Sequence, residues 1–104
     1  MLRADIWEIR LSGRSGHEQK GLRRAVILQA DSLALSTVVV VPTSTQARAT
    51  SFRPTIRIGH DTTQVLTEQI TAIDAQRLGR RVGRVTADEL ADIEAALGDV
   101  LGLD

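Results

Sequence analysis

A chain of 104 residues with 13 basic and 13 acidic side chains and 42% hydrophobic residues is one small domain with a modest, mainly aliphatic core. It has no cysteine, hence no disulfide framework and no thiolate metal site, and its only large aromatics are Trp7 and Phe52. His17 and His60 stand far apart with no carboxylates at metal-ligand spacing, no apolar run nears the ~18 residues of a membrane helix, and no signal-peptide pattern opens the chain. The expectation is a soluble cytoplasmic protein without metal or cofactor.

The net charge of zero conceals a split. Residues 86–104 carry six acids and no base, so residues 1–85 hold all 13 cations against seven acids, and twelve of the cations are arginine. Arginine is the residue for bidentate phosphate contacts, and it is also what a GC-rich genome writes by codon bias. Composition alone leaves both readings open.

"DIWEIRL" (5–11) alternates, with Trp7, Ile9 and Leu11 on one side and Glu8 and Arg10 on the other, which predicts a half-buried strand. Gly13, Gly16 and Gly21 break residues 12–22 into a long loop. "AVILQ" (25–29) is short and apolar enough for a central strand. "STVVVVP" (36–42) is β-rich and closed by Pro42. After the polar loop "TSTQARATS", "TIRI" (55–58) alternates again and "GHD" turns. "TQVLTEQITAI" reads as one or two strands interrupted by Thr67, Glu68 and Gln69; "DAQRL" forms a helical turn, and "RRVGRV" is a last short strand. Thr86 with Glu89 is a capping-box pattern, and Leu90, Ile93, Leu97, Val100 and Leu101 recur at helical spacing, which predicts a helix over 87–101 stopped by Gly102. The fold class is mainly β with α: a strongly bent antiparallel sheet closed by a C-terminal helix, with no internal repeat or linker.

Polar residues gather where strands stop: residues 14–24, residues 43–46 (Thr43, Ser44, Thr45, Gln46) and residues 67–69. Curling the sheet into a small barrel brings strand ends together at a rim, where a rigid scaffold can hold functional loops. Taken singly, each cluster is also what an ordinary solvated loop looks like. Glu68 and Gln69 interrupt an apolar strand, so each needs a partner if buried. The combination of histidine, carboxylate, hydroxyl and arginine suits RNA cleavage without a metal. That reaction needs an acceptor for the 2′-OH proton, a cation for the phosphorane oxygens and a donor for the leaving 5′-oxygen.

The segments "RADIWEIRL", "GHEQKGLRRAVIL", "VVVVPTSTQ", "EQITAID" and "GRVTADELADIEAAL" follow one another in an order that resembles the MazF/PemK (Kid) family of toxin endoribonucleases. The most specific part is the G-[SH]-E-Q-x-G-x-R-P loop running into an apolar strand. The resemblance implies a small SH3-like (PemK/CcdB-type) antiparallel barrel with a C-terminal helix, working as a homodimer. It implies cleavage of single-stranded RNA (mRNA) at a short sequence to 2′,3′-cyclic phosphate and 5′-hydroxyl ends, which stops translation and growth. It also implies a cognate MazE-like antitoxin, encoded alongside, that blocks the RNA groove. By the same resemblance Arg23, Ser44, His17 and Glu68 are the catalytic set. The neighbouring Arg14, Glu18, Gln19, Lys20, Arg24, Thr43, Thr45, Gln46 and Gln69 are the RNA contacts.

This chain departs from the family pattern. Arg24 replaces the loop proline, Ser44 stands where the family has threonine, with Thr43 and Thr45 adjacent to take its role, and Leu66 replaces the Kid-branch arginine two residues before the acid. Two other classes stay open: a CcdB-like toxin that grips a protein and has no use for the GHEQ loop, and a catalytically degenerate homologue that binds RNA or antitoxin only.

Overall fold

The computed structural model describes residues 1–11 and 21–103. Seven strands follow one another as β1 (Asp5–Leu11), β2 (Gly21–Ile27), β3 (Thr37–Ser44), β4 (Thr55–Ile58), β5 (Asp61–Val65), β6 (Thr71–Asp74) and β7 (Leu78–Arg84), and helix α1 (Ala87–Leu101) closes the chain. The strands lie in the order β4-β5-β3-β2-β1-β7, with β6 also on β3. All pairings are antiparallel. The protein is mainly β, a curled antiparallel half-barrel with a C-terminal helix.

β3 makes the curl. Its first half pairs with β6 (Thr37 with Asp74 through Val40 with Thr71), its middle with β2 (Val40 with Ile27, Ala25 with Pro42), and its end with β5 (Thr43 with Val65, Ser44 with Gln64). Pro42 does not close the strand as its sequence position suggested. It has no N–H to give to a ladder, but its carbonyl accepts the Leu66 amide at 2.9 Å, and β3 runs on to Ser44.

The continuous apolar runs follow from burial on both faces of the central strands. Ile6, Val26, Val41, Ile56 and Val65 point into one cluster, to which α1 adds Ile93. Ile9, Ala25, Ile27, Val38 and Val40 form a second cluster with Trp7 and Leu78 at its margin. β1 is therefore not the simple one-sided strand that its alternation suggested: Ile6 and Ile9, three residues apart, face opposite sides of the strand and are both buried, because a core cluster lies on each side. β2 and β7 start earlier than expected, at Gly21 and Leu78, since the polar residues there sit on strands rather than in loops.

Helix α1 has the expected bounds. Thr86 Oγ1 accepts the Glu89 amide at 3.1 Å while Glu89 Oε1 accepts the Thr86 amide at 2.8 Å, completing the capping box. Glu89 Oε2 also accepts the Arg57 amide at 2.9 Å, which fixes the helix start on β4. Gly102 takes φ 69°, the left-handed conformation that ends a helix most cheaply with glycine. Among the described residues no helix is long and apolar enough to cross a membrane.

At the opposite edge of the sheet, buried Asp5 joins β1 to β7. Its Oδ1 accepts from Arg81 Nε at 3.1 Å and Arg84 Nη1 at 3.0 Å, and its Oδ2 from the Leu2 amide at 2.9 Å. Burial pushes its carboxyl up, but the Leu2 amide and the two guanidiniums outweigh this and leave it below the ordinary carboxylate value.

Candidate active site

The β2–β3 ladder ends at Ala25 and Pro42, and side chains carry the pairing beyond it. Arg23 Nη2 donates to the Thr43 carbonyl at 2.9 Å, and buried Thr43 donates its hydroxyl to the Arg24 carbonyl at 3.1 Å. These crossed bonds fix Arg23 against the strand that delivers Ser44. A guanidinium carries five N–H groups in a rigid fork, so a contact through one Nη still allows a bidentate grip on a phosphate.

Ser44 ends β3, and the chain turns over its side chain. Its Oγ accepts the amides of Gln46 at 3.2 Å and Ala47 at 3.1 Å, the local bonding that favours serine in turns. With both lone pairs engaged, the hydroxyl keeps its proton to donate, and the two N–H groups polarise it for that purpose. Threonine or serine meets this requirement equally, so the missing methyl leaves the donor intact.

Arg23, Arg24, Thr43, Ser44, Thr45 and Gln46 line one open cavity of about 360 Å³, together with Ile58 and Thr63. The structure thus brings together six of the residues expected from sequence. Thr63 was not among them. In "DTTQV" it shares a face with Val65, and that alternation was the available signal. Its Oγ1 is buried and has no hydrogen-bond partner among the described residues.

Glu68 and Gln69 do not line this cavity. They lie in a 3-10 turn, Thr67–Gln69, on the surface rather than within a strand, so the expected interruption is a bend between β5 and β6. Glu68 is paired with Arg53, whose Nε lies 3.0 Å from Oε2 and 3.3 Å from Oε1, with Nη2 also on Oε2. The bonded guanidinium holds the Glu68 carboxyl below the ordinary glutamate value, against a smaller opposing effect of burial. Arg53 also donates to the Arg48 carbonyl at 3.3 Å and stacks 5.6 Å from the Phe52 ring centre, while Thr67 Oγ1 donates to the Phe52 carbonyl. The pair therefore anchors the loop that follows Ser44. Buried Leu66 leaves no charge two residues before the acid, and Arg53 brings a guanidinium to Glu68 from a different segment.

Arg14, His17, Glu18, Gln19 and Lys20 lie outside the described residues. Among the described residues no group of three or more His, Asp or Glu side chains is placed to hold a metal ion.

Residues 2–101 match the model of the PemK-like, MazF-like toxin of type II toxin–antitoxin systems. The chain is 38% identical over 91 residues to Rv3098A/RVBD_3098A of Mycobacterium tuberculosis, which covers 86% of each. It is 34% identical over 109 residues to the endoribonuclease MazF9 of the same organism, covering 93% of this chain and 92% of that one. In fold it is similar to a mycobacterial endoribonuclease solved with its cognate antitoxin, at a TM-score of 0.85 and 22% identity over 100% of this chain and 97% of that one. The whole chain, with the Arg23–Ser44 cavity at its strand ends, belongs to the PemK-like, MazF-like family of toxin endoribonucleases from type II toxin–antitoxin systems.

Proposed function

We propose that this toxin cleaves single-stranded mRNA at a short sequence, without a metal ion, leaving a 2′,3′-cyclic phosphate and a 5′-hydroxyl, and that an antitoxin of the MazE kind neutralises it. The observation that carries the reading is one cavity lined by both a strand-anchored guanidinium, Arg23, and a polarised hydroxyl, Ser44.

A base takes the proton of the 2′-hydroxyl, the 2′-oxygen bonds to phosphorus, and the bond from phosphorus to the 5′-oxygen breaks with a proton delivered to that oxygen. Charge builds on the non-bridging oxygens in between. Arg23 faces that charge with fixed N–H groups, and Ser44 adds a second donor. Arg24, Thr43, Thr45 and Gln46 contact the nucleotides, and Arg14, Glu18, Gln19, Lys20 and Gln69 extend the contact surface. We assign proton transfer to His17, because an imidazole can both accept and donate a proton. Glu68 is the alternative acceptor. The Arg53 guanidinium keeps it ionised but makes it a weaker base.

The active assembly in this reading is a homodimer. Leu33, Leu35, Leu101 and Leu103 are exposed apolar side chains of the kind that a subunit interface covers. The antitoxin would lie across the same cavities as the RNA, so the two compete.

Arg23→Ala tests the assignment. Removing one preorganised donor costs roughly 10²–10³ in rate, and RNA affinity should fall far less than the cleavage rate. Cleavage by the variant at the wild-type rate would remove Arg23 from the mechanism.

A further inference from the structure

A second cavity of about 530 Å³ adjoins the first, and Arg24 and Ile58 line both. Its other walls come from the β4–β5 hairpin and from β7: His60 and Asp61 on one side, Arg80 and Arg81 on the other. The hairpin is tight. Ile58 pairs with Asp61, and Gly59 takes φ +62°, as the first central position of a two-residue turn requires. That turn presents His60 at the cavity wall, beside Asp61 at the start of β5.

The charge here is positive. Arg24 approaches Asp61 only to 3.9 Å, with both side chains well exposed. Arg80 meets Glu8 at 3.1 Å but its side chain is 76% exposed, so the pair is screened and easily exchanged for another anion. Arg81 shares the single carboxylate oxygen Asp5 Oδ1 with Arg84, leaving one guanidinium charge without a counter-charge at that carboxylate. Ile58 and Val82 are the apolar lining, too little to anchor a peptide through buried side chains.

We propose that this second cavity is a phosphate subsite for the RNA backbone. Resting on the proposed RNA-cleaving function, it holds a nucleotide flanking the one in the first cavity, with Arg24 gripping the strand between them. Arg80 and Arg81 offer forked N–H donors to the phosphate oxygens, and the His60 imidazole adds an N–H from the hairpin. The unusual Arg24 then has a use: in the place of the family's loop proline it puts a cation where the two cavities meet.

The test measures binding without cleavage. Random-sequence single-stranded RNA with every ribose 2′-O-methylated cannot be cut, and its affinity for the intact protein is titrated across a range of salt concentrations. The double substitution His60→Ala and Arg80→Ala touches only exposed side chains, and thermal unfolding checks that the fold is kept. The double variant should bind roughly tenfold more weakly at low salt. Its plot of log affinity against log salt should be shallower by about 0.7 for each phosphate that the variant no longer neutralises. Arg3→Ala, which removes a cation paired with Glu94 on α1, should leave the slope unchanged. Wild-type affinity and slope in the double variant would overturn the subsite, and so would an equal loss from Arg3→Ala. A wild-type protein that shows this slope difference yet cuts no natural RNA would instead sink the proposed function and keep the subsite.

Discussion

Asp5→Asn should unfasten β7 from β1. The substitution keeps shape and one carbonyl oxygen but removes the charge and places an amide NH₂ among three donors. Two of those donors are the guanidiniums of Arg81 and Arg84, at 3.1 and 3.0 Å. A hydrogen bond to a charged group contributes about 1.5–3 kcal/mol. Both arginine side chains are about half exposed, so each figure is roughly halved for screening. With the mismatched amide at the Leu2 N–H, the loss is about 2–3 kcal/mol. In a domain of this size that lowers the Tm by roughly 10–20 °C. The folded Asp5 carboxyl lies below its unfolded value, so its contribution is fully present above the unfolded pKa of about 3.9 and disappears as pH falls through the folded value. Denaturant unfolding of both proteins, at one protein concentration and across pH, measures the gap. The gap should be constant near neutrality and close below about pH 4. A loss under about 0.5 kcal/mol, within the range of ordinary surface substitutions, would refute the reasoning. So would a gap that persists unchanged once the wild-type carboxyl is protonated.

Ser44→Ala should slow RNA cleavage by about 10²-fold, the usual effect of removing one preorganised donor, while exposed Thr45→Ala should have a milder effect. The reverse order, read from single-turnover rates, would move the catalytic hydroxyl by one residue. Thr63→Val keeps the shape of a buried side chain and deletes a hydroxyl that has no partner among the described residues, so denaturation should show stability raised by about 1 kcal/mol. A loss of stability would mean that the hydroxyl is bonded in solution.

The helix was legible to the residue because several local signals agreed: the capping box at Thr86 and Glu89, the spacing of Leu90, Ile93 and Leu97, and the stop at Gly102. "AVI" and "VVVV" were legible as strands because continuous apolar sequence is what burial on both faces demands, although β2 stops at Ile27 rather than running on to Gln29. Other features were hidden because their causes are distant in sequence. Arg23 and Arg24 read as loop residues, yet they lie on β2, where the cavity keeps their polar ends out of the core. Pro42 reads as a terminator, but its carbonyl finds Leu66 across the curl. Glu68 reads as a residue of an interrupted strand, and only the fold brings Arg53 to it from fifteen residues away. The six cavity residues were foreseen as chemical types. Their convergence rests on the crossed Arg23–Thr43 and Thr43–Arg24 bonds, which no spacing rule encodes.

The most direct measurement incubates the wild-type protein with a long single-stranded RNA in EDTA and maps both new ends of every fragment. Discrete cuts at a recurring short sequence are expected, each leaving a 2′,3′-cyclic phosphate upstream and a 5′-hydroxyl downstream. Intact RNA, cutting that appears only when a divalent ion is restored, or fragments ending in a 3′-hydroxyl and a 5′-phosphate would contradict it.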